Sequence, residues 1–307
     1  LTVPNRPVAV EVAAHAKINL RLRILARETS GYHQLETLFH RIELADVVRV
    51  RRTSGSHALD ITGDVDRDTL GPTEHNLAWR AAQSYFASSS MTGGFAIELE
   101  KRIQVGAGLG GGSADAGAVL RALDSMAERP LGEAGLMLLA APLGSDVAFL
   151  ASEHAYALAW GRGERMIALD PPPVRNVLLT LPGYGVNTAD AYAWLAAARI
   201  EHPRAAGHQA FLIHPPQVAR WESIARLAVN DFEPLVAARH PEIASVLQVQ
   251  RASPAVELAL LSGSGSAVFA ILRGDSARDL SKSNYDAGMS SFMTRTLLRV
   301  EPPSPTE

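Results

Sequence analysis

The chain has 307 residues, 47% of them apolar, a formal net charge of -3 and no cysteine. Its length suggests about two domains, at roughly 150 residues each, with apolar content enough for a core in both. The charge argues against a dedicated nucleic-acid binder, the missing cysteines exclude disulfides, thiolate catalysis and zinc–cysteine sites, and no apolar run reaches membrane-spanning length, so a soluble, cytoplasmic protein without a membrane partner is the expectation.

Residues 1–8, with Pro4 and Pro7, read as a loose arm, and no signal-peptide core is expected in residues 1–11. Residues 8–25 are mostly extended and contain Ala14-His15-Ala16-Lys17-Ile18-Asn19-Leu20. Lys17 and Asn19 lie two apart and so share one strand face. That face is either plain solvent surface or a polar break with a purpose. Gly31-Tyr32-His33 is a turn with two flat side chains, either a surface loop or a platform on which a base stacks. Residues 38–50 read as strand, with Arg49-Val50-Arg51-Arg52 as its solvated end, and residues 57–70 as polar, turn-rich chain. Asn76 is suited to cap a helix that starts at Leu77. Phe95-Ala96-Ile97-Glu98-Leu99-Glu100 alternates as a half-buried strand does.

The stretch Val105-Gly106-Ala107-Gly108-Leu109-Gly110-Gly111-Gly112-Ser113-Ala114-Asp115 holds five glycines in eleven residues. A strand precedes it, and Ala116, Val119, Leu120 and Leu123 follow at helical spacing. Glycine opens backbone conformations closed to other residues and lets a ligand approach the main chain. A helix start offers free N–H groups and a positive dipole end to an anion, with phosphate the obvious candidate. The plain alternative is a turn with Ser113 as N-cap. Gly106-x-Gly108-x-x-Gly111 formally matches the dinucleotide fingerprint, but a loop at 129–133 stands where the second strand and its acidic residue belong. No lysine precedes Ser113, so the Walker pattern fails as well.

Residues 136–141 continue a helix, and Asp146 follows in an apolar setting, as a helix cap or as a carboxylate for acid–base work. Residues 156–169 read as a strand pair around Gly161-Arg162-Gly163-Glu164, and Asp170-Pro171-Pro172-Pro173 as a linker. Beyond it come a strand at 176–181, a loop at 182–188 and a helix at 189–198. Residues 201–217 look like an irregular insertion. Asn230-Asp231-Phe232-Glu233-Pro234 precedes another helix. Ser262-Gly263-Ser264-Gly265-Ser266 lies between apolar stretches, as a hairpin turn would. A last strand is expected at 292–300 and a frayed tail at 302–307. The ten histidines show no metal-ligand spacing.

Ala16-Lys17-Ile18-Asn19-Leu20, Gly31-Tyr32-His33, residues 105–115 and residues 262–266 together resemble the signatures of the GHMP small-molecule kinases, over about residues 14–300. The resemblance implies an α+β fold in two domains. These are a ribosomal-S5-domain-2-like ATP domain at 1–168 and a ferredoxin-like substrate domain at 169–307, with the active site between them. Tyr32-His33 together with the triple glycine points to the branch that transfers the ATP γ-phosphate to the 2-hydroxyl of a cytidyl-diphosphate methylerythritol, in the non-mevalonate route to isoprenoid precursors. By position, Lys17 and Asp146 form the catalytic pair. Gln104, Val105, Gly106, Ala107, Gly108, Leu109, Gly110, Gly111, Gly112, Ser113 and Ala114 cradle the ATP phosphates, with Ser113 near them and near Mg2+. Asn76 and Lys101 match positions beside the adenosine. Asn19, Tyr32, His33 and Tyr192 match the second-substrate site, with Tyr32 and Tyr192 on the faces of the cytosine and His33 at its edge. The chain departs from the family pattern at Gln104 and Ala148, where proline is common, and at Ala114, where a second serine is common. The other readings are a GHMP kinase for a different small alcohol and a non-catalytic binding protein of the same fold.

Overall fold

The computed structural model describes residues 6–28, 33–63, 65, 71–201, 215–274 and 288–306. Two long strands, β1 (Ala9–Arg27) and β2 (His33–Thr53), pair antiparallel. Their branched apolar residues suit a surface covered on both faces. β3 (Ala58–Gly63) follows, then helix α1 (Leu77–Ser88) and β4 (Gly94–Lys101). The Asn76 side chain caps α1, accepting from Ala78 N–H at 2.9 Å. After the glycine loop come α2 (Gly111–Met126), α3 (Gly132–Ala140) and α4 (Val147–Ala151). β5 (Tyr156–Gly161) and β6 (Arg165–Ala168) form the expected hairpin. In the second half, β7 (Asn176–Pro182) leads to α5 (Thr188–Glu201), α6 (Trp221–Leu227), β8 (Val229–Asn230), α7 (Glu233–Arg239) and α8 (Pro241–Ala252). β9 (Val256–Leu261), β10 (Val268–Leu272), β11 (Met289–Arg295) and β12 (Ser304–Pro305) complete the chain.

The first sheet runs β12-β1-β2-β4-β3, with β5 and β6 continuing from β2 and β8 lying on β1. Alanine-rich α2 packs on it with almost every side chain from Ala114 to Leu123 buried. Gly117 permits that closeness, because a Cβ there would lie 2.4 Å from the main chain of Leu150 in α4. The second sheet is antiparallel in the order β11-β7-β10-β9. Counted along the second half this is 4-1-3-2, the ferredoxin-like arrangement. The α+β fold of two sheets with helices is therefore the one the resemblance implies. Among the described residues no helix is long and apolar enough to cross a membrane.

Three local expectations are overturned. Residues 58–63 are strand, because an edge position beside β4 needs little apolar surface. Helix α3 begins at Gly132, inside the stretch read as loop. The C-terminal tail is fastened rather than frayed: Glu11 pairs with Ser304 across the edge of β1, and Thr306 N–H reaches Ala9 O at 3.0 Å. Short pairing strands with proline carry no periodic signal. The insertion read at 201–217 falls largely outside the described residues.

Two buried histidines make the fold acid-sensitive. His40 is fully buried, with Nδ1–H bonded to Arg41 O at 3.0 Å and Nε2 without a partner among the described residues. Burial lowers its pKa from 6.5 to about 4. Burial, and then the Arg41 charge, lower that of His15 to about 4 as well. Both values are depressed on folding, so protons favour the unfolded chain as pH falls below 6.5, and the stability from the neutral rings is lost by about pH 4. At 1.4 kcal/mol per pH unit this amounts to about 3 kcal/mol for each ring. Urea unfolding between pH 7.5 and 4 should show a decline that is shallower in His40→Gln.

Candidate active site

Lys17 sits between β-bulges that fall on either side of the Lys17–Asn19 segment of β1. Such bulges re-aim side chains beside functional sites. Its ammonium has three donors, and three acceptors surround it: Asn19 Oδ1 at 2.7 Å, Gly108 O at 2.9 Å and Asp146 Oδ2 at 3.1 Å. The Lys17 side chain is 3% exposed, whereas that of Asp146 is 26% exposed. The carboxylate therefore keeps an open side toward a cavity of about 370 Å³. Among the residues lining that cavity, Lys17 and Asp146 are the charged ones. Asp146 does stand at the N-cap position of α4, but its side chain makes no capping bond. The Asp146 carboxylate is thus spent on Lys17 and not on a cap.

Asn19 is itself held, donating to Thr37 Oγ1 at 2.8 Å, and Thr37 donates in turn to Arg21 O at 2.8 Å. Phe39 lies under the ammonium, 5.9 Å from ring centroid to Nζ, and stacks on Phe149 at 4.9 Å.

The glycine loop owes its shape to what grips its carbonyls. Gly106 O accepts from Val186 N–H at 3.1 Å, Ala107 O from Ala267 N–H at 3.0 Å, and Leu109 O from Lys17 N–H at 3.0 Å. Gly108 O accepts from Ser262 Oγ at 2.9 Å as well as from Lys17. Gly106, Gly108 and Gly110 all have φ between 74 and 79°. Gly110, rather than Ser113, occupies the N-cap position, and the first intrahelical bond runs from Ala114 N–H to Gly110 O at 2.8 Å. The N–H groups of Gly111, Gly112 and Ser113 are those an α-helix leaves without an intrahelical partner. With Gly110, these three residues line the cavity that Lys17 and Asp146 border. A phosphate seated there meets backbone donors, a dipole end and the Lys17 charge together.

Asn76 and Lys101 line a smaller cavity of about 190 Å³ on the other side of the loop, which Gln104, Val105 and Asp115 also border. The Lys101 ammonium is buried between the carboxylates of Asp46 and Asp115. Asp46 also accepts from the N–H of Ile103 at 2.8 Å. These contacts join the end of β4 to the start of α2 and so fix both ends of the glycine loop. Burial, as the largest cause, raises the Asp115 pKa to about 7.

Tyr192, on α5, stacks on His33 at the start of β2, with centroids 4.7 Å apart and planes at 24°. Phe232 meets the Tyr192 ring edge-on at 4.9 Å. Burial and then the nearby Asp146 charge push the Tyr192 pKa up to about 12. Tyr32 lies outside the described residues.

Sequence reading missed the residues that join the two sheets here. Asn230 donates to Leu261 O at 2.8 Å and Gly263 O at 2.7 Å, and accepts from Phe232 N–H at 2.9 Å. Asp231 accepts from Ile24 N–H at 2.9 Å, and Glu233 from Leu261 N–H at 3.0 Å. The signal was Asn230-Asp231-Phe232-Glu233 itself, two carboxylates and an amide beside a buried Phe. The 262–266 stretch is a hairpin turn between β9 and β10, as its plain reading had it, and it also backs Lys17: a Cβ on Gly263 would lie 3.2 Å from Nζ.

Residues 76–156 match the family model for the N-terminal domain of GHMP kinases. A 4-diphosphocytidyl-2-C-methyl-D-erythritol kinase of Desulfitobacterium hafniense (strain Y51) is 40% identical over 265 residues, 86% of this chain and 87% of the relative. A crystal structure of 4-(cytidine 5'-diphospho)-2C-methyl-D-erythritol kinase superposes with a TM-score of 0.72 at 34% identity, covering 93% of this chain and 98% of that one. Homoserine kinase from Cytophaga hutchinsonii ATCC 33406 superposes with a TM-score of 0.70 at 16% identity, covering 97% of each chain, a likeness of fold alone. With that extent of identity over nearly the whole length, and a lysine–carboxylate pair beside a glycine-loop helix start, the chain belongs to the 4-diphosphocytidyl-2-C-methyl-D-erythritol kinases of the GHMP kinase family.

Proposed function

We propose that the chain phosphorylates the 2-hydroxyl of 4-diphosphocytidyl-2-C-methyl-D-erythritol with ATP, a step toward isoprenoid precursors in the cytoplasm, where ATP is available. The observation that carries this reading is the Lys17–Asp146 pair, 3.1 Å apart at the edge of the phosphate-binding helix start. Asp146 takes the hydroxyl proton as the oxygen attacks the γ-phosphorus and the bond to the β-phosphate oxygen breaks, releasing ADP. Lys17, held by Asn19 and Gly108, fixes the place of the Asp146 carboxylate and offsets charge on the transferring group. Gly106, Gly108, Gly110, Gly111, Gly112 and Ser113 receive the phosphates, Asn76 and Lys101 border the adenosine, and Gln104, which the resemblance puts in the phosphate cradle, has its side-chain amide committed instead to Pro182 O and Tyr184 O. His33 and Tyr192, with Tyr32, take the cytosine.

Among the described residues no group of three or more His, Asp or Glu is placed to hold a metal. Mg2+ would therefore be bound mainly by phosphate oxygens, which suits its preference for few protein ligands, with Ser113 Oγ beside them. It would offset charge on the phosphates. The first domain of this reading spans 1–168 and the second 169–307, with β8 and β12 returning to the first sheet.

A coupled ADP-release assay tests the reading, with the cytidyl substrate, homoserine and mevalonate offered in parallel. Turnover with the cytidyl substrate alone is expected. Preference for either plain alcohol would overturn it.

A further inference from the structure

We propose that Gln104 is a positioning residue for the acceptor side of the site, setting where helix α5 stands against the phosphate loop. This rests on the kinase reading above for its kinetic consequence only. Gln104 is the last residue before the loop, yet its side chain is committed to the second half of the chain. Its amide nitrogen donates to Pro182 O at 2.9 Å and to Tyr184 O at 3.1 Å. Both partners are carbonyls, which only accept, so the nitrogen rather than the oxygen must face them. Both of its N–H groups are therefore used on one turn, the turn that joins β7 to α5.

The main chain beside this tie is packed to contact. Gly106 and Gly185 lie so close that a Cβ on Gly185 would be 2.9 Å from Gly106 Cα. Val186 N–H bonds Gly106 O at 3.1 Å. Ser266 Oγ holds Tyr184 O from the other side at 2.7 Å. Helix α5 starts directly after the turn, its first N–H groups served by Asn187, which accepts from Ala189 N–H at 2.8 Å. Thr188 and Tyr192, one helical turn apart, share the face that lines the reaction cavity. A helix moves as a unit, so a displaced turn displaces both. Gln104 thereby links the loop that takes the nucleotide to the helix that carries Tyr192 onto His33. It touches neither reacting group and acts through α5.

The test uses Gln104→Met, which keeps length and removes the donors, and Gln104→Glu, which keeps shape and sets a carboxylate against two carbonyls. Both should fold, since Tyr184 O retains Ser266 Oγ. The first readout is amide hydrogen exchange of the ligand-free protein over residues 183–192. Two lost hydrogen bonds should speed exchange there by about ten-fold, with the rest of the chain unchanged. The second is steady-state kinetics, where KM for the acceptor should rise about ten-fold, more than KM for ATP, with kcat nearly kept. Unchanged exchange over 183–192 would overturn the proposal. So would an equal rise of both KM values accompanied by faster exchange throughout, the mark of a merely structural role. If the wild type fails to phosphorylate the cytidyl substrate, it is the functional reading that falls, and the exchange measurement alone decides for Gln104.

Discussion

Asp146→Asn is expected to lower kcat by about a hundred- to ten-thousand-fold, the range a general base contributes, with both substrates still bound. The substitution preserves shape, and an amide oxygen can still accept from the Lys17 ammonium at the present 3.1 Å. Lys17 keeps its other two acceptors, Asn19 Oδ1 and Gly108 O, so the glycine loop and β1 should not move. What disappears is the carboxylate proposed to take the hydroxyl proton. Asp146 is also free of any capping bond to α4, so no helix end is lost with it. Stopped-flow and steady-state kinetics beside a thermal melt check the prediction. A variant with an unchanged melting temperature and near-normal turnover would remove Asp146 from the role of base.

The second large effect is expected at Gly108. Its φ of +79° lies where an L side chain costs about 1–2 kcal/mol. A Cβ would stand 2.0 Å from Ser262 O and 2.8 Å from Gly265 N, both of them main-chain atoms. Gly108→Ala must therefore push the 262–266 hairpin off the loop. The bonds from Ser262 Oγ to Gly108 O and from Ala267 N–H to Ala107 O go with it, each worth about 1 kcal/mol net. A stability loss of about 3 kcal/mol or more should appear in urea unfolding, by the sum of these terms. ATP affinity should fall by more than about ten-fold, because the freed loop no longer presents its N–H groups as one set. Gly112→Ala is the contrast in stability. Its Cβ would meet only Leu77 Cδ1, at 3.8 Å, inside a helix where alanine is preferred. Equal stability of the two variants would mean that the hairpin does not hold the loop.

These two sites also mark how far the sequence could be read. Residues 105–115 announced a glycine loop before a helix start unaided, because the need for left-handed backbone is a local property and glycine meets it locally. Gly106, Gly108 and Gly110 do adopt positive φ. The Asn76 cap, the alternating strand at 94–101 and the hairpin of β5 and β6 are local in the same sense, each decided by a few neighbouring residues. The polar break at Lys17 and Asn19 was visible but not decided, since a solvent-facing strand carries the same pattern and only the burial of Lys17 excludes that reading. The family and its fold were equally legible, because four short motifs in fixed order constrain nearly the whole chain.

Asp146 shows where local reading ended. A cap and a paired carboxylate look alike in Ser145-Asp146-Val147, and only the arrival of Lys17 from β1 shows the pair. Lys101 was matched to the adenosine by position, but its ammonium is enclosed by Asp46 and Asp115, a pairing no spacing announces. The turn of β9 and β10 was visible as a hairpin, whereas its grip on the loop through Ser262 and on Lys17 through Gly263 was not. Likewise Ser304–Pro305 becomes a strand only because β1 offers it an unpaired edge. Backbone conformation, capping and periodicity depend on neighbours in sequence and were determined there. Which charge meets which, and which carbonyl is gripped by which turn, depends on contacts between distant segments, and these exist only once the two sheets are packed together.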